Sequence, residues 1–180
     1  VDDTALGRFL VAYDIGEVVS FTGIAEGVEN SNYLLRTTKA DFILTLYEKR
    51  VDADDLPFFI ELMTHLSAAG MSCPLPVAAR DSQILHELAG RPCALFSFLD
   101  GTFSRFPNRV KCHALGACLA DLHVKAQGLS RHRANSLGPA SWTPLLHSIG
   151  SDANILAGGM QQAITTRLEQ ILSDWPSDLP

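Results

Sequence analysis

Basic residues are scarce in this sequence. Lys and Arg number 14 against 20 Asp and Glu, for a formal net charge of −6. That balance excludes a general nucleic-acid or anionic-membrane binder, because neutralising phosphates takes clustered cations. It leaves room for a small anionic ligand held by backbone amides. Long apolar runs are absent too: none nears the roughly 20 residues of a spanning helix. The opening Val1-Asp2-Asp3-Thr4 is acidic where a secretory leader is basic and then apolar. Cysteine is limited to Cys73, Cys93, Cys112 and Cys118, with no CxxC pair and no Cys/His spacing of a zinc site. Buried thiols and a cytoplasmic setting are the expectation. Repeats, low-complexity tracts and charge blocks are missing. So are the Gly-x-Ser-x-Gly elbow, His-Glu-x-x-His and the Walker A sequence.

What is plentiful is apolar surface. Of 180 residues 47% are hydrophobic and 19% charged, and a chain of this length buries roughly 70% of its unfolded surface. A core without disulfides or structural metal is within reach. Periodicity predicts a helix over 2–14, with Leu6, Phe9, Leu10 and Tyr13 on one face. Strands follow over 17–24, 31–37 and 41–48, the last rich in β-branched and aromatic residues. The polar link Thr38-Lys39-Ala40-Asp41 makes the second and third a hairpin. Asp52 and Asp54 offer caps for a helix to about residue 67, with Pro57 tolerated in its first turn and Gly70 as its stop. A second hairpin reads over 84–88 and 93–99 through Ala89-Gly90-Arg91-Pro92. After Asp100-Gly101 the pattern is helical only: 107–127, 142–149 and 155–174. Strands first and helices afterwards, without alternation, define an α+β chain rather than a doubly wound sheet.

Four features bear on chemistry. The loop between the first two strands, with Gly23, Gly27 and Asn30, suits either an ordinary hairpin or a turn whose backbone approaches phosphate oxygens. In a kinase-like nucleotide lobe the third strand carries a cation. Here Thr45 holds the central position, and Lys49 follows on the same face. Glu61, on the next helix, is the acid best placed to pair with such a cation; the plainer reading leaves Lys49, Arg50 and Glu61 solvated. Phe96-Ser97-Phe98-Leu99-Asp100-Gly101 ends a strand where the two halves meet, and such junctions favour small-molecule sites. The histidines, His113 and His123 among them, lack ligand spacing and read as structural or surface residues.

Taken in order, three stretches resemble the bacterial type II homoserine kinases, in the aminoglycoside-phosphotransferase-like branch of the protein-kinase-like fold. They are residues 18–33, Phe42-Ile43-Leu44-Thr45-Leu46-Tyr47-Glu48-Lys49-Arg50, and Asp55-Leu56-Pro57-Phe58-Phe59. Gly27-Val28-Glu29-Asn30-Ser31-Asn32-Tyr33 and Leu88-Ala89-Gly90-Arg91-Pro92 are the most specific, and 115–123 (LGACLADLH) is looser. The resemblance spans about residue 5 to the last. It implies an antiparallel-sheet N-lobe with one main helix over 1–100, nucleotide-binding and ending in a hinge, and the start of a helical C-lobe over 101–180. It implies ATP and Mg²⁺ as cofactors and L-homoserine as substrate. Gly23, Gly27, Asn30, Ser31 and Asn32 would belong to the phosphate-covering loop and the strand after it. Thr45, Lys49 and Glu61 would stand where the family's cation and its helix partner stand. Ser97 and Leu99 would meet adenine through their main chain, and His123 would brace the catalytic loop.

The chain departs from that pattern at Thr45, and it lacks the His-x-Asp-x-x-x-x-Asn loop and the later metal-binding Asp of such kinases. Trp175-Pro176-Ser177-Asp178-Leu179-Pro180 resembles the segment before that loop. Catalytic and metal ligands are therefore expected beyond Pro180, and residues 1–180 alone are expected to be inactive. A related kinase for an aminoglycoside, choline or methylthioribose stays open, as does a non-catalytic nucleotide-binding module.

Overall fold

The computed structural model describes residues 2–25, 29–48, 51–102 and 104–176. The chain divides into two compact units, Val1–His132 and Arg133–Pro180. The first begins with α1 (Asp3–Leu10), capped by Asp2, whose carboxylate accepts the Ala5 amide at 2.8 Å. Five antiparallel strands follow: β1 (Val18–Ile24), β2 (Asn30–Thr37), β3 (Asp41–Tyr47), β4 (His86–Leu88) and β5 (Arg91–Ser97). Their order in the sheet is β1-β2-β3-β5-β4. A 3₁₀ turn at Ala53–Asp55 leads into α2 (Leu56–Ala68), and α3 (Arg109–Ala126) completes the unit.

The core sits between α1 and one face of the sheet, because alternation along β3 sends Leu44 and Leu46 to that side. There they join Leu35, Cys93 and Leu95, and all five are 0% exposed. Each such leucine stabilises by about 1.5–3 kcal/mol relative to exposure. Leu6, Leu10, Tyr13 and Ile15 close the core from the α1 side. The expected stripe is present, but the helix stops at Leu10 rather than near residue 14. The carbonyls just past its end turn to Arg80: Ala12 O accepts the Arg80 amide at 2.8 Å, and Val11 O accepts Nη1 at 3.1 Å. Tyr13 then reaches the core from a tightened turn.

The β2–β3 hairpin closes as expected, with Thr37 Oγ1 donating to Ala40 O at 2.8 Å. Asp52 caps the 3₁₀ turn through the Asp54 amide at 3.0 Å, and Pro57 lies in the first turn of α2. Helix α2 ends at Ala68 and is stopped by Gly70, whose φ of +80° suits glycine, while the Met71 amide returns to Leu66 O at 2.9 Å. Ala89 and Gly90 both have positive φ, 54° and 72°, the two-residue turn that matches the twist of β4 and β5.

Two of the thiols correct the sequence expectation. Cys93 is buried and Cys73 half-buried, but Cys112 and Cys118 are exposed on α3, and all four are unpaired. The apolar residues of α3 are spread around its circumference, so no single face draws the thiols inward. Only its C-terminal end is tied to α2, by His65 Nε2 donating to Lys125 O at 2.8 Å. Strands precede Asp100 and helices follow it, while the boundary between compact units falls later, after His132.

The second unit holds α4 (Pro139–Ile149), a 3₁₀ segment (Gly150–Ile155) and α5 (Met160–Ser173). Trp142 packs edge-on to Trp175 at 5.0 Å and donates Nε1 to Leu137 O at 2.7 Å. The apolar stripes expected on these helices meet across a groove of about 500 Å³, lined by Trp142, Leu146, Ile149, Ile164 and Leu168. Among the described residues no helix is long and apolar enough to cross a membrane.

Candidate nucleotide-binding face

The sheet face opposite α1 is built by the alternate residues of the central strands. Asn30, Asn32 and Leu34 come from β2, Ile43, Thr45 and Tyr47 from β3, and Ala94 and Phe96 from β5. In register, Asn32 lies across from Thr45, Thr45 from Ala94 and Ile43 from Phe96. Thr45 is 8% exposed, a buried hydroxyl in the middle of an apolar strand. A buried hydroxyl needs a partner, and this one donates to Asn32 Oδ1 at 2.8 Å. The Asn32 carboxamide is thereby oriented, with the two N–H donors of Nδ2 and the second lone pair of Oδ1 left over. Beside Thr45 is a hollow of about 190 Å³ lined by Ile43, Met63, Pro74 and Phe96. Asn30 Oδ1 is buried without a hydrogen-bond partner among the described residues. Burial, then the nearby Cys93, pushes the Tyr47 phenol up to about 12, so it stays a neutral hydroxyl.

The other expected site residues separate. Gly27 and Lys49 lie outside the described residues. Gly23 sits in β1 across from Tyr33, and an added Cβ would meet only that ring, at 3.8 Å. Glu61 does not wait for a third-strand cation: its Oε2 takes Arg131 Nε at 2.6 Å. Ser31 alternates to the α1 side, where its hydroxyl donates to Glu48 Oε1 at 2.6 Å. The Ser97 amide donates to Leu75 O at 2.8 Å and its Oγ accepts the Leu75 amide at 2.9 Å, so any contact with a base falls to its carbonyl. Leu99 is exposed just past the strand.

Sequence reasoning missed Glu48, Arg91 and Arg131. Glu48 was detectable in principle, since period-two spacing puts an acid on the same face as Leu44 and Leu46. Arg131 carried no local signal. Among the described residues no cluster of three or more His, Cys, Asp or Glu is placed to hold a metal.

A twisted antiparallel sheet, one helix after its third strand and a strand running out toward helices are together a protein-kinase-like N-lobe. Two solved structures share this fold. A microcompartment-associated aminopropanol kinase matches with TM-score 0.62 at 20% identity, over 81% of this chain and 49% of that one. A spectinomycin phosphotransferase solved with ADP and spectinomycin matches with TM-score 0.59 at 16% identity, over 83% and 46%.

Within that fold the chain belongs to the phosphotransferase enzyme family (APH), whose sequence profile matches residues 20–180. It is 51% identical to the homoserine kinase of Acidiphilium cryptum over 180 residues, all of this chain and 56% of that protein. The same identity and coverage hold for the homoserine kinase of Granulibacter bethesdensis. The chain thus spans little more than half the length of these curated relatives.

Proposed function

We propose that this chain is the nucleotide-binding part of a cytoplasmic homoserine kinase, which passes the γ-phosphoryl group of ATP to the hydroxyl of L-homoserine in threonine biosynthesis. The observation that carries the reading is the 51% identity to homoserine kinases along the whole 180 residues. In the reaction the substrate oxygen bonds to the γ-phosphorus, the bond to the β–γ bridging oxygen breaks, ADP leaves and the hydroxyl proton passes to a base. Such chemistry depends on positioning and charge stabilisation more than on covalent catalysis.

On this reading the donors of Asn32, oriented by Thr45, face a phosphate or ribose oxygen in place of the family's lysine. The Ser97 carbonyl suits the exocyclic amine of adenine, and the Leu99 amide suits a ring nitrogen. Gly23 leaves the backbone of β1 open toward the ligand. The described residues do not fit Mg²⁺, since they bring no set of carboxylates together. We assign the metal ligands and the base to the additional length of the relatives, and residues 1–180 alone are expected to turn over no substrate.

The test is ADP release by the full-length protein with L-homoserine, choline, methylthioribose and an aminoglycoside as separate acceptors. Turnover with L-homoserine alone is expected. Preference for another acceptor would reassign the substrate, and turnover by the isolated 1–180 chain would overturn the placement of the base.

A further inference from the structure

The two stretches that resemble homoserine kinases most specifically are far apart in sequence, and they meet at one end of the sheet through a residue that belongs to neither. Ser31 Oγ donates to Glu48 Oε1 at 2.6 Å, and Arg91 Nη1 lies 3.0 Å from the same oxygen. The strand register explains the meeting. β3 and β5 pair Leu44 with Leu95 and Leu46 with Cys93, and two residues further along Glu48 comes to stand across from Arg91. Ser31 pairs with Leu46, one diagonal step away. All three side chains fall on the α1 face, at the rim of the core.

As a source of stability the cluster is weak, since the Arg91 and Glu48 side chains are 47% and 30% exposed and such ion pairs contribute little. Yet Arg91 is delivered by the turn in which Ala89, not a glycine, adopts φ 54°, a conformation that strains an L-residue. A strained turn that yields only a marginal ion pair points to a geometric role. Alternation supplies that role: with Ser31 held on one face, its neighbours Asn30 and Asn32 are presented on the other, beside Thr45.

We propose that Arg91, Glu48 and Ser31 form a positioning relay for the nucleotide face. Arg91 orients the Glu48 carboxylate, Glu48 holds the Ser31 hydroxyl, and Ser31 thereby fixes where Asn30 and Asn32 stand. None of the three touches nucleotide; they act through the strand. The relay rests on the reading of the opposite face as the ATP site.

The test uses the full-length protein, with ATP affinity from titration calorimetry and KM for ATP and L-homoserine measured separately. R91A, E48Q and S31A are each expected to weaken ATP by about fivefold, the loss of one misplaced hydrogen bond expressed as an affinity. KM for L-homoserine and the melting temperature should hold, and R91K should recover part of the loss. Because the three act as a unit, R91A/S31A should be no worse than either alone. Unchanged ATP affinity in all three variants overturns the relay. So does a uniform loss in which both KM values, kcat and melting temperature fall together. If the unaltered protein binds no nucleotide, the reading of the face fails first and takes the relay with it.

Discussion

Replacing Thr45 by valine removes one hydroxyl from the middle of β3 and keeps the β-branched shape that the strand favours. The lost contact is the 2.8 Å bond to Asn32 Oδ1. A neutral hydrogen bond contributes about 0.5–1.5 kcal/mol net, and a buried acceptor left alone costs about 1–3 kcal/mol. Asn32 is only half-buried, so water can re-pair its oxygen in part. The expected destabilisation is therefore near the low end, about 1–1.5 kcal/mol. Urea unfolding followed by near-UV dichroism of tyrosine is a suitable assay, because Tyr13, Tyr33 and Tyr47 all lie in the first unit and both tryptophans in the second. A double-mutant cycle with Asn32→Ala isolates the pair, with an expected coupling of about 0.5–1.5 kcal/mol. Additivity of the two changes to within about 0.3 kcal/mol would refute the claim that Thr45 and Asn32 act as one element. Thr45→Lys, which places a cation in the middle of β3, should destabilise more than Thr45→Val. Glu61 is already committed to Arg131, so it is not free to offset the desolvation of an ammonium group at this buried position.

Two further expectations concern the turn and the thiols. Ala89→Asn creates an Asn-Gly pair at the two positive-φ positions, and relief of the alanine strain should stabilise by about 1 kcal/mol. Differential scanning calorimetry should show a rise of about 2–4 °C, and a fall would mean the turn is not strained. Burial, and secondarily Glu87, pushes the Cys93 thiol from 9.0 up to about 12. The folded chain then holds a proton that the unfolded chain releases, so stability present below pH 9 is lost as pH rises toward 12. The melting temperature should drop between about pH 9 and pH 11, and less steeply in Cys93→Ala. An identical slope in that variant would exclude Cys93 as the titrating group. In thiol labelling of the folded chain, the exposed Cys112 and Cys118 should react first and Cys93 only on unfolding.

The strands were legible because β3 and β5 are short runs rich in apolar residues, bounded by turn residues. Helix α2 was legible from Pro57 and Gly70, which act locally, whereas of the two expected caps Asp52 caps the preceding 3₁₀ turn, and the N-cap position of α2 itself falls to Asp55. The site was legible in part. Thr45 announced itself as a departure from pattern, and Asn32 lay in a specific stretch, but the bond between them depends on a cross-strand register that no local signal encodes. The pairing of Glu61 was unreadable because Arg131 is brought to it by the packing of α3 on α2, a tertiary contact. Asn30, Ser31 and Asn32 were grouped together, as part of the phosphate-covering loop and the strand after it. The pleat divides them between two faces. Exposure of Cys112 and Cys118 was likewise invisible in composition, since a cysteine's burial is decided by which helix face finds a partner.

The ends of the sheet carry a last consequence. β1 and β4 are its edges, and β1 bears Val18 and Val19, both exposed. An open, apolar edge of that kind is a template for strand addition by another chain. Between Val18 and Ser20 the pairing with β2 slips, a bulge that twists the start of the strand out of line. At the far side β4 offers only three residues. Deleting Val19 would remove the bulge and leave a straighter edge, so the irregularity disfavours pairing of β1 with a strand of another chain.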